Sequence, residues 1–514
     1  MPNVIQQIVE GQDAAARLDR LVDAVVYPRS VHTLPEGALF LAERDGQCLL
    51  ALLSEAPDPR GLALEMRELE HEGQTLWLGL GDLSHENAAR VRALLPTTAP
   101  TRIGLRTAAG LGDRLGLATP GHIRAMGHTT GVVPVFAQQS IREMERTGRT
   151  PQNVLDDATW GVLQEGWREP WGADADHLMT ADDIDACLDA GFVMYTLDPR
   201  AHVDNDAETD DASTLRNKYE ALTWKRLEST PEATYATYVG QSWYLNVSHR
   251  LALSETGLLR AACKYGAALA HIRDLYRHLK DAAGDRPWEL EVSVDETDTP
   301  TRPEEHLYIA LELRRLGVEW VSLAPRYIGR FEKGVDYIGD LQAFENDWRW
   351  HVAIARALGP YKLSLHSGSD KFSIYPIAAR HAGELIHLKT AGTSYLEALR
   401  AVARIDPALF REILAHAMAH YETERRSYHV SGELARVPVP DTLPDAQLEQ
   451  QLDHFDTRQV LHVTFGVILN ATDSDGQLLF RERLYDLLAQ HQETHYAMLE
   501  SHLARHVTPF GPQA

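Results

Sequence analysis

Lys362-Leu-Ser-Leu-His-Ser-Gly-Ser-Asp-Lys-Phe372 and Trp288-Glu-Leu-Glu-Val-Ser-Val-Asp-Glu-Thr-Asp-Thr-Pro-Thr301 are the stretches whose reading decides the fold. Each starts as a short alternating β-rich run and stops on polar groups able to bind a metal or move a proton. In parallel barrels and doubly wound sheets, that strand end is where chemistry sits. Outward from them, short runs of the same kind recur at Arg102 to Arg106, Val132 to Phe136, Gly172 to Leu178, Phe192 to Leu197, Leu290 to Asp295, Glu319 to Ala324, Lys362 to His366, Leu385 to Lys389 and Val460 to Gly466. Between them, Thr180 to Ala190, Glu304 to Leu316, Asp340 to Leu358 and Ser394 to His420 carry apolar residues at helical spacing. Repeated strand-then-helix order implies parallel strands, and roughly eight such units predict an α/β fold of the TIM type, a (β/α)8 barrel. The runs number one more than that barrel needs.

Residues 1–98 read differently. Two β-like runs, Gly37 to Glu55 with a turn at Asp45-Gly46 and Leu62 to Leu80, precede a short helix near His85 to Leu95, and Pro96-Thr-Thr-Ala-Pro100 reads as a linker. This predicts a small α+β amino-terminal appendage before a catalytic barrel over 99–514. The acidic run Asp204 to Asp211 reads as a solvated loop leading into a helical insertion at about 204–285, with its helices between Ala212 and Ala283.

With 514 residues and 44% hydrophobic content the chain can bury a large core. A formal charge of -24 argues against nucleic acid and anionic membrane surfaces as partners. Cys48, Cys187 and Cys263 lie far apart without Cys-x-x-Cys spacing, which reads against a disulfide framework or structural zinc and fits a reducing cytoplasm. No basic-then-apolar leader and no bilayer-length apolar run is present in the sequence, so a cytoplasmic protein is expected. A homo-oligomer is compatible with all of this.

Strand parity selects inward groups. Leu363 and Leu365 face the outer helices, so Lys362, Ser364 and His366 face the interior, and the same count turns His387 and Lys389 inward. With Leu290, Val292 and Val294 outward, Asp295 is the parity choice, while Glu296 begins the loop. Asp295 or Glu296 with His366 and His387 has the N/O composition of a catalytic divalent site with open positions. Arg326, Lys371 and Lys389 would clamp a substrate carboxylate. Asp174 and Asp176 share a strand face and are candidates for proton transfer, with His177 on the other face; capping of the next helix is their duller role.

Gly110-Leu-Gly112-Asp-Arg-Leu-Gly116 resembles a dinucleotide loop, but the acidic residue expected about twenty positions later is missing. Ala118-Thr-Pro-Gly-His122 also interrupts the helix such a loop would start. No nicotinamide is expected; a tight loop carrying Asp113, Arg114 and His122 toward a substrate is. Ser367-Gly-Ser369 lacks the context of a nucleophile elbow.

Gly112-Asp-Arg-Leu-Gly-Leu-Ala-Thr-Pro-Gly-His122, Phe136-Ala-Gln-Gln-Ser-Ile-Arg-Glu143, Gly172-Ala-Asp-Ala-Asp-His177, Val294-Asp-Glu-Thr-Asp-Thr-Pro300, Leu365-His-Ser-Gly-Ser-Asp-Lys-Phe372 and His387-Leu-Lys-Thr-Ala-Gly-Thr-Ser394 form an ordered set. Together they resemble the tagaturonate epimerase family of bacterial hexuronate catabolism. The resemblance implies interconversion of D-tagaturonate and D-fructuronate, a divalent metal requirement and side activity on ketohexoses. By the same analogy Glu296, His366 and His387 would be metal ligands, with Asp295 the rival of Glu296. Zinc, manganese, cobalt and nickel all suit such donors.

The implied reaction inverts carbon three, two bonds from the ketone at carbon five. That hydrogen is not acidic enough for simple proton abstraction. Transient oxidation by nicotinamide or cleavage of the bond between carbons three and four remain, and the weak dinucleotide loop disfavours the first. A Lewis-acidic ion would stabilise the resulting enediolate by several kcal/mol. A retro-aldol and aldol cycle with Asp174 or Asp176 as base is therefore expected, passing through tartronate semialdehyde. Another metal-dependent sugar isomerase or aldolase, such as a ketohexose 4-epimerase, would use the same ligands. A silent carbohydrate-binding barrel would bind without turnover.

Overall fold

The computed structural model describes residues 4–11 and 13–512; residues 1–3 and 12 of the expected appendage and 513–514 of the expected barrel domain lie outside the described residues. Eight parallel strands close into a barrel: β1 Ala108–Leu111, β2 Val133–Ser140, β3 Gly172–Leu178, β4 Met194–Leu197, β5 Glu289–Val294, β6 Ser322–Pro325, β7 Lys362–Leu365 and β8 Ile386–Thr390. Each strand pairs with its sequence neighbour, and β8 returns to β1.

Hydrophobic burial fixes which face looks in. Leu290, Val292, Val294, Leu363, Leu365, Ile386 and Leu388 are buried beneath the surrounding helices. Each such side chain contributes about 1.5–3 kcal/mol when withdrawn from water, so the intervening polar residues must point into the barrel. Small residues make room for them on β1, where Ala108 and Gly110 stand opposite His387 and Lys389. A Cβ at Gly110 would lie 3.1 Å from the Gln138 side chain, so a larger residue there would press on Gln138.

The helices begin and end on local signals. Thr180 caps Ala181–Ala190 through a capping box with Asp183, and Gly191 closes it at φ 99. Asp406-Pro407 divides the expected single helix from Ser394 to His420 into Thr393–Ile405 and Pro407–Glu424, because proline supplies no amide for a continuing helix.

Two strand expectations fail. Arg102 to Arg106 forms a turn whose Ile103 and Gly104 amides donate to Glu289, and the first barrel strand is the Ala-Ala-Gly-Leu segment that follows. Val460 to Gly466 falls in the helices Phe455–Val463 and Phe465–Leu469. Nearly every residue of that run is buried, so no polar face displayed its helical period.

Between β4 and β5 the chain forms helices Ala212–Glu220, Pro231–Tyr238 and Glu255–Ala283, with a two-stranded hairpin at Ser242–Tyr244 and Arg250–Ala252 that the helical reading missed. Before the barrel, an antiparallel sheet includes Gly37–Arg44 and Gln47–Ser54, joined at Asp45-Gly46 with φ 53 and 77. Both positive values match a two-residue hairpin turn. One sheet face packs Phe40, Ala42 and Leu53 on Ile5, Ile8 and Leu18, and the other packs Leu39, Leu41 and Leu52 on Trp160 and Leu163. None of the described helices is long and apolar enough to cross a membrane.

Candidate active site

Lys389 is the hub of the barrel interior. Its ammonium lies 2.7 Å from Asp174 Oδ2, 2.9 Å from Asp176 Oδ1 and 2.9 Å from Glu291 Oε1, and it donates to Thr196 Oγ1 at 2.8 Å. Burial opposes its charge, but these three carboxylates more than offset that and hold its pKa well above the ordinary lysine value. Burial raises Asp174, helped by repulsion from Asp176 and Glu291 against the pull of Lys389. Asp176 and Glu291 resist burial through Lys389 and the histidines, and stay well below the usual carboxylate range.

Above this layer sits His366. Its Nε2 lies 2.8 Å from Asp176 Oδ1 and 3.3 Å from Lys389 Nζ, while Nδ1 lies 3.3 Å from Asp295 Oδ1. Burial and Lys389 disfavour a proton there, but Asp295 and Asp176 prevail and raise the pKa to about 10. Burial would raise Asp295 in turn, yet His366, His177 and the Ser293 hydroxyl at 2.6 Å hold it low. The His177 ring stacks on His366 with centroids 4.3 Å apart. Its Nδ1–H donates to Asp198 Oδ2 at 2.6 Å, which leaves Nε2 as the free ring nitrogen.

Asp295 and His366 open into a cleft of about 330 Å³, shared with Glu296, Arg326, Arg330, Lys333 and Arg142. A carboxylate and an imidazole therefore meet solvent beside a row of cations, at the carboxyl ends of β5 to β7.

The tagaturonate epimerase family model matches residues 27–510. The tagaturonate/fructuronate epimerase of Thermotoga maritima is 42% identical over 483 residues, covering 94% of this chain and 96% of that protein. The chain belongs to the tagaturonate epimerase family. It is accordingly an enzyme, an epimerase of the isomerase class. Glycerol-complexed and native crystal structures of the fructuronate-tagaturonate epimerase of Cohnella laeviribosi superpose with TM-score 0.89 at 36% identity, covering 97% of this chain and 99% of that one.

Within this family member, several expected site residues gather and others do not. Asp174, Asp176, Lys389, His366 and Asp295 form the continuous network just described. Glu296, His366 and His387 do not converge. β7 and β8 pair so that Ser364, not His366, stands opposite His387, which puts His387 one layer deeper. There its Nδ1 donates to Glu291 at 2.9 Å and burial lowers its pKa. Glu296 is at the cleft, 3.4 Å from Arg200. Asp295, rather than Glu296, adjoins His366.

Of the expected carboxylate clamp, Arg326 lines the cleft, but Lys389 is spent on the interior carboxylates. Lys371 is fully buried and donates to the carbonyls of Glu332, Val335 and Ser369 at 2.6–2.7 Å, which leaves no proton for a substrate. His122 is sealed in the interior against Ser394 Oγ at 2.7 Å, and burial pushes it down to about 4. The loop before it serves the fold: Asp113 accepts from the amides of Leu115, Gly116 and Ala118, and Arg114 pairs with Glu143 at 2.7 Å.

Glu291, Gln138, Thr196, His177 and Asp198 were missed. Glu291 and Gln138 were legible in part, the first by parity with Asp295. His177 was not, because a β-bulge between β3 and β4 and a φ of 55 turn it from its nominal face.

One donor atom each from Asp176, His177 and His366 lie within 4.8 Å of one another. The local charge fits a divalent ion. Asp176, Glu291 and Asp295 are held low in and beside this set and His177 keeps Nε2 free, so oxygen and nitrogen donors in a negatively charged setting are at hand.

Proposed function

We propose that this enzyme interconverts D-tagaturonate and D-fructuronate by inverting carbon three through a retro-aldol and aldol cycle. The observation that carries the chemistry is Asp295 at the cleft floor, 3.3 Å from His366 and backed by the Asp176–Lys389 network. The family membership and the 42% identity to a tagaturonate/fructuronate epimerase support the substrate pair.

Asp295 is the base, in preference to Asp174 and Asp176. Asp174 is fully buried and held by Thr196 and Lys389, and Asp176 is held by Gln138, His366 and Lys389. Asp295 takes the proton of the hydroxyl on carbon three. The electron pair left on that oxygen forms the aldehyde of tartronate semialdehyde as the bond from carbon three to carbon four breaks, and its electrons pass into the enediolate of dihydroxyacetone. The aldehyde turns over, the enediolate attacks its other face, and Asp295 returns the proton.

Asp176, His177 and His366 would hold a divalent ion, whose Lewis acidity stabilises developing enediolate charge by several kcal/mol. An ion held there would also acidify a substrate hydroxyl beside it, so a weakly basic carboxylate such as Asp295 would suffice to accept the proton. Asp198 fixes the tautomer and the angle of His177, and Lys389 fixes Asp176. The walls of the cleft would keep the three-carbon fragment beside its partner between the two bond-changing steps.

Incubation of the metal-loaded protein with D-tagaturonate, read by NMR, is expected to give D-fructuronate. Failure to form it, or faster turnover of a neutral ketohexose, aldose or aldol product in the same assay, would reject this function.

A further inference from the structure

We infer that Arg142 and Lys333 form the subsite that grips the substrate carboxylate and so set the preference for a sugar acid over a neutral ketose. This rests on the proposed function, which requires a substrate with one anionic end.

The chain carries 74 acidic against 50 basic residues, and several of its buried cations are paired with acidic partners. Lys389, Lys264, Arg114 and Arg458 all pair with buried carboxylates. The cleft departs from that rule. No carboxylate pairs with Arg142 among the described residues; its guanidinium lies over the Tyr428 ring at 5.2 Å, and its buried Nε has no hydrogen-bond partner. Among the described residues Lys333 donates only to a neutral hydroxyl, Ser367 Oγ at 3.0 Å, next in sequence to His366. Arg330, by contrast, is largely exposed and lies 3.6 Å from Glu332.

Arg142 is half-buried with its Nε withdrawn from water and unpartnered, and a bound carboxylate would supply the missing acceptor and counter-charge. The arginine is also the better reader, because its planar fork matches a carboxylate at two points and its face is already fixed on an aromatic ring. Lys333 adds a point charge. Asp295 and Glu296 in the same cleft repel the carboxylate and accept hydroxyls, so the two sets of lining residues orient the substrate with its carboxylate toward Arg142 and carbon three toward Asp295.

The test uses D-glycerate, a monocarboxylate with two hydroxyls, and glycerol as its neutral counterpart. Calorimetric titration of the metal-loaded protein should show Arg142→Gln and Lys333→Gln each weakening glycerate roughly 10- to 100-fold while glycerol is unchanged, as expected for loss of one charge-assisted contact. Arg142→Lys should recover part of the loss. In turnover, both glutamine variants should raise KM for D-tagaturonate and lower its kcat/KM by more than that for D-tagatose. Unchanged glycerate affinity, or equal losses for glycerate and glycerol, would overturn the subsite. Should Arg142→Gln fail to fold, Lys333→Gln and Arg142→Lys decide by the same readings. Glycerate binding that falls in the variants of a protein unable to convert D-tagaturonate would keep the subsite and reject the reaction.

Discussion

Asp176, His177 and His366 at the mouth of the barrel and Asp370, His502 and His506 behind the loop after β7 share one composition, a carboxylate with two imidazoles close enough to hold an ion. Their surroundings differ. In the second cluster Arg458 already supplies the positive charge, 3.0 Å from Asp370 Oδ1, and His502 Nε2 lies 2.6 Å from the same oxygen. His506 Nε2 accepts the Asp370 amide at 2.9 Å, so its lone pair is spent, and burial pushes its pKa down to about 3. This cluster ties the helix Gln492–Val507 to the loop that carries His366. In the first cluster Glu291 and Asp295 add negative charge beside Asp176, and His177 keeps Nε2 free. Composition alone does not distinguish the two clusters; the free Nε2 of His177 and the surrounding carboxylates make the first the better candidate to hold an ion.

That contrast can be broken most severely by removing the ion. Chelation followed by gel filtration should abolish epimerisation, on the order of a thousand-fold or more, and a divalent metal should restore it. Full activity after exhaustive chelation would remove the metal from the scheme. Substitution comes next. His366→Gln and Asp176→Asn should each lose bound metal, measured by mass spectrometry of the purified protein, together with most of kcat. Asp370→Asn should keep its metal and instead lose about 1–3 kcal/mol of stability in denaturant unfolding, because it removes the nearer carboxylate partner of Arg458 and leaves Glu397 at 3.6 Å. A swap of these outcomes would exchange the roles of the two clusters.

Asp198→Asn sharpens the contrast further. Without the carboxylate that orients His177, metal affinity should fall roughly 10- to 100-fold in a competition titration. An unchanged affinity would exclude His177 as a ligand. The smallest effect is on the metal-free protein as pH rises. His366 has its pKa raised from 6.5 to about 10, so the stability it contributes is fully present below 6.5 and is lost as pH climbs toward 10. His366→Gln should remove that part of the slope, at least about 1 kcal/mol across the window.

The sequence showed the barrel wherever a strand alternated visibly. Lys362 to Leu365 and Ile386 to Thr390 were legible because leucine and isoleucine mark the outer face, and parity then turned His366, His387 and Lys389 inward. Parity does not report stagger, however, and the one-layer offset that pairs His387 with Ser364 is a property of two strands together. The Ala108–Leu111 strand has no branched side chain to announce it apart from its last residue, so the neighbouring Arg102 to Arg106 run took its place. Arg142 and Lys333 lie outside the barrel strands, where no period constrains direction, and only the folded cleft sets them beside Asp295.

The most direct test is the pattern of isotope effects on conversion of D-tagaturonate by the metal-loaded enzyme. Cleavage between carbons three and four predicts a primary carbon-13 effect at carbon four and no primary deuterium effect at carbon three. A primary deuterium effect at carbon three with no carbon-13 effect at carbon four would contradict the retro-aldol route, because the hydrogen on carbon three, and not the carbon–carbon bond, would then be what moves.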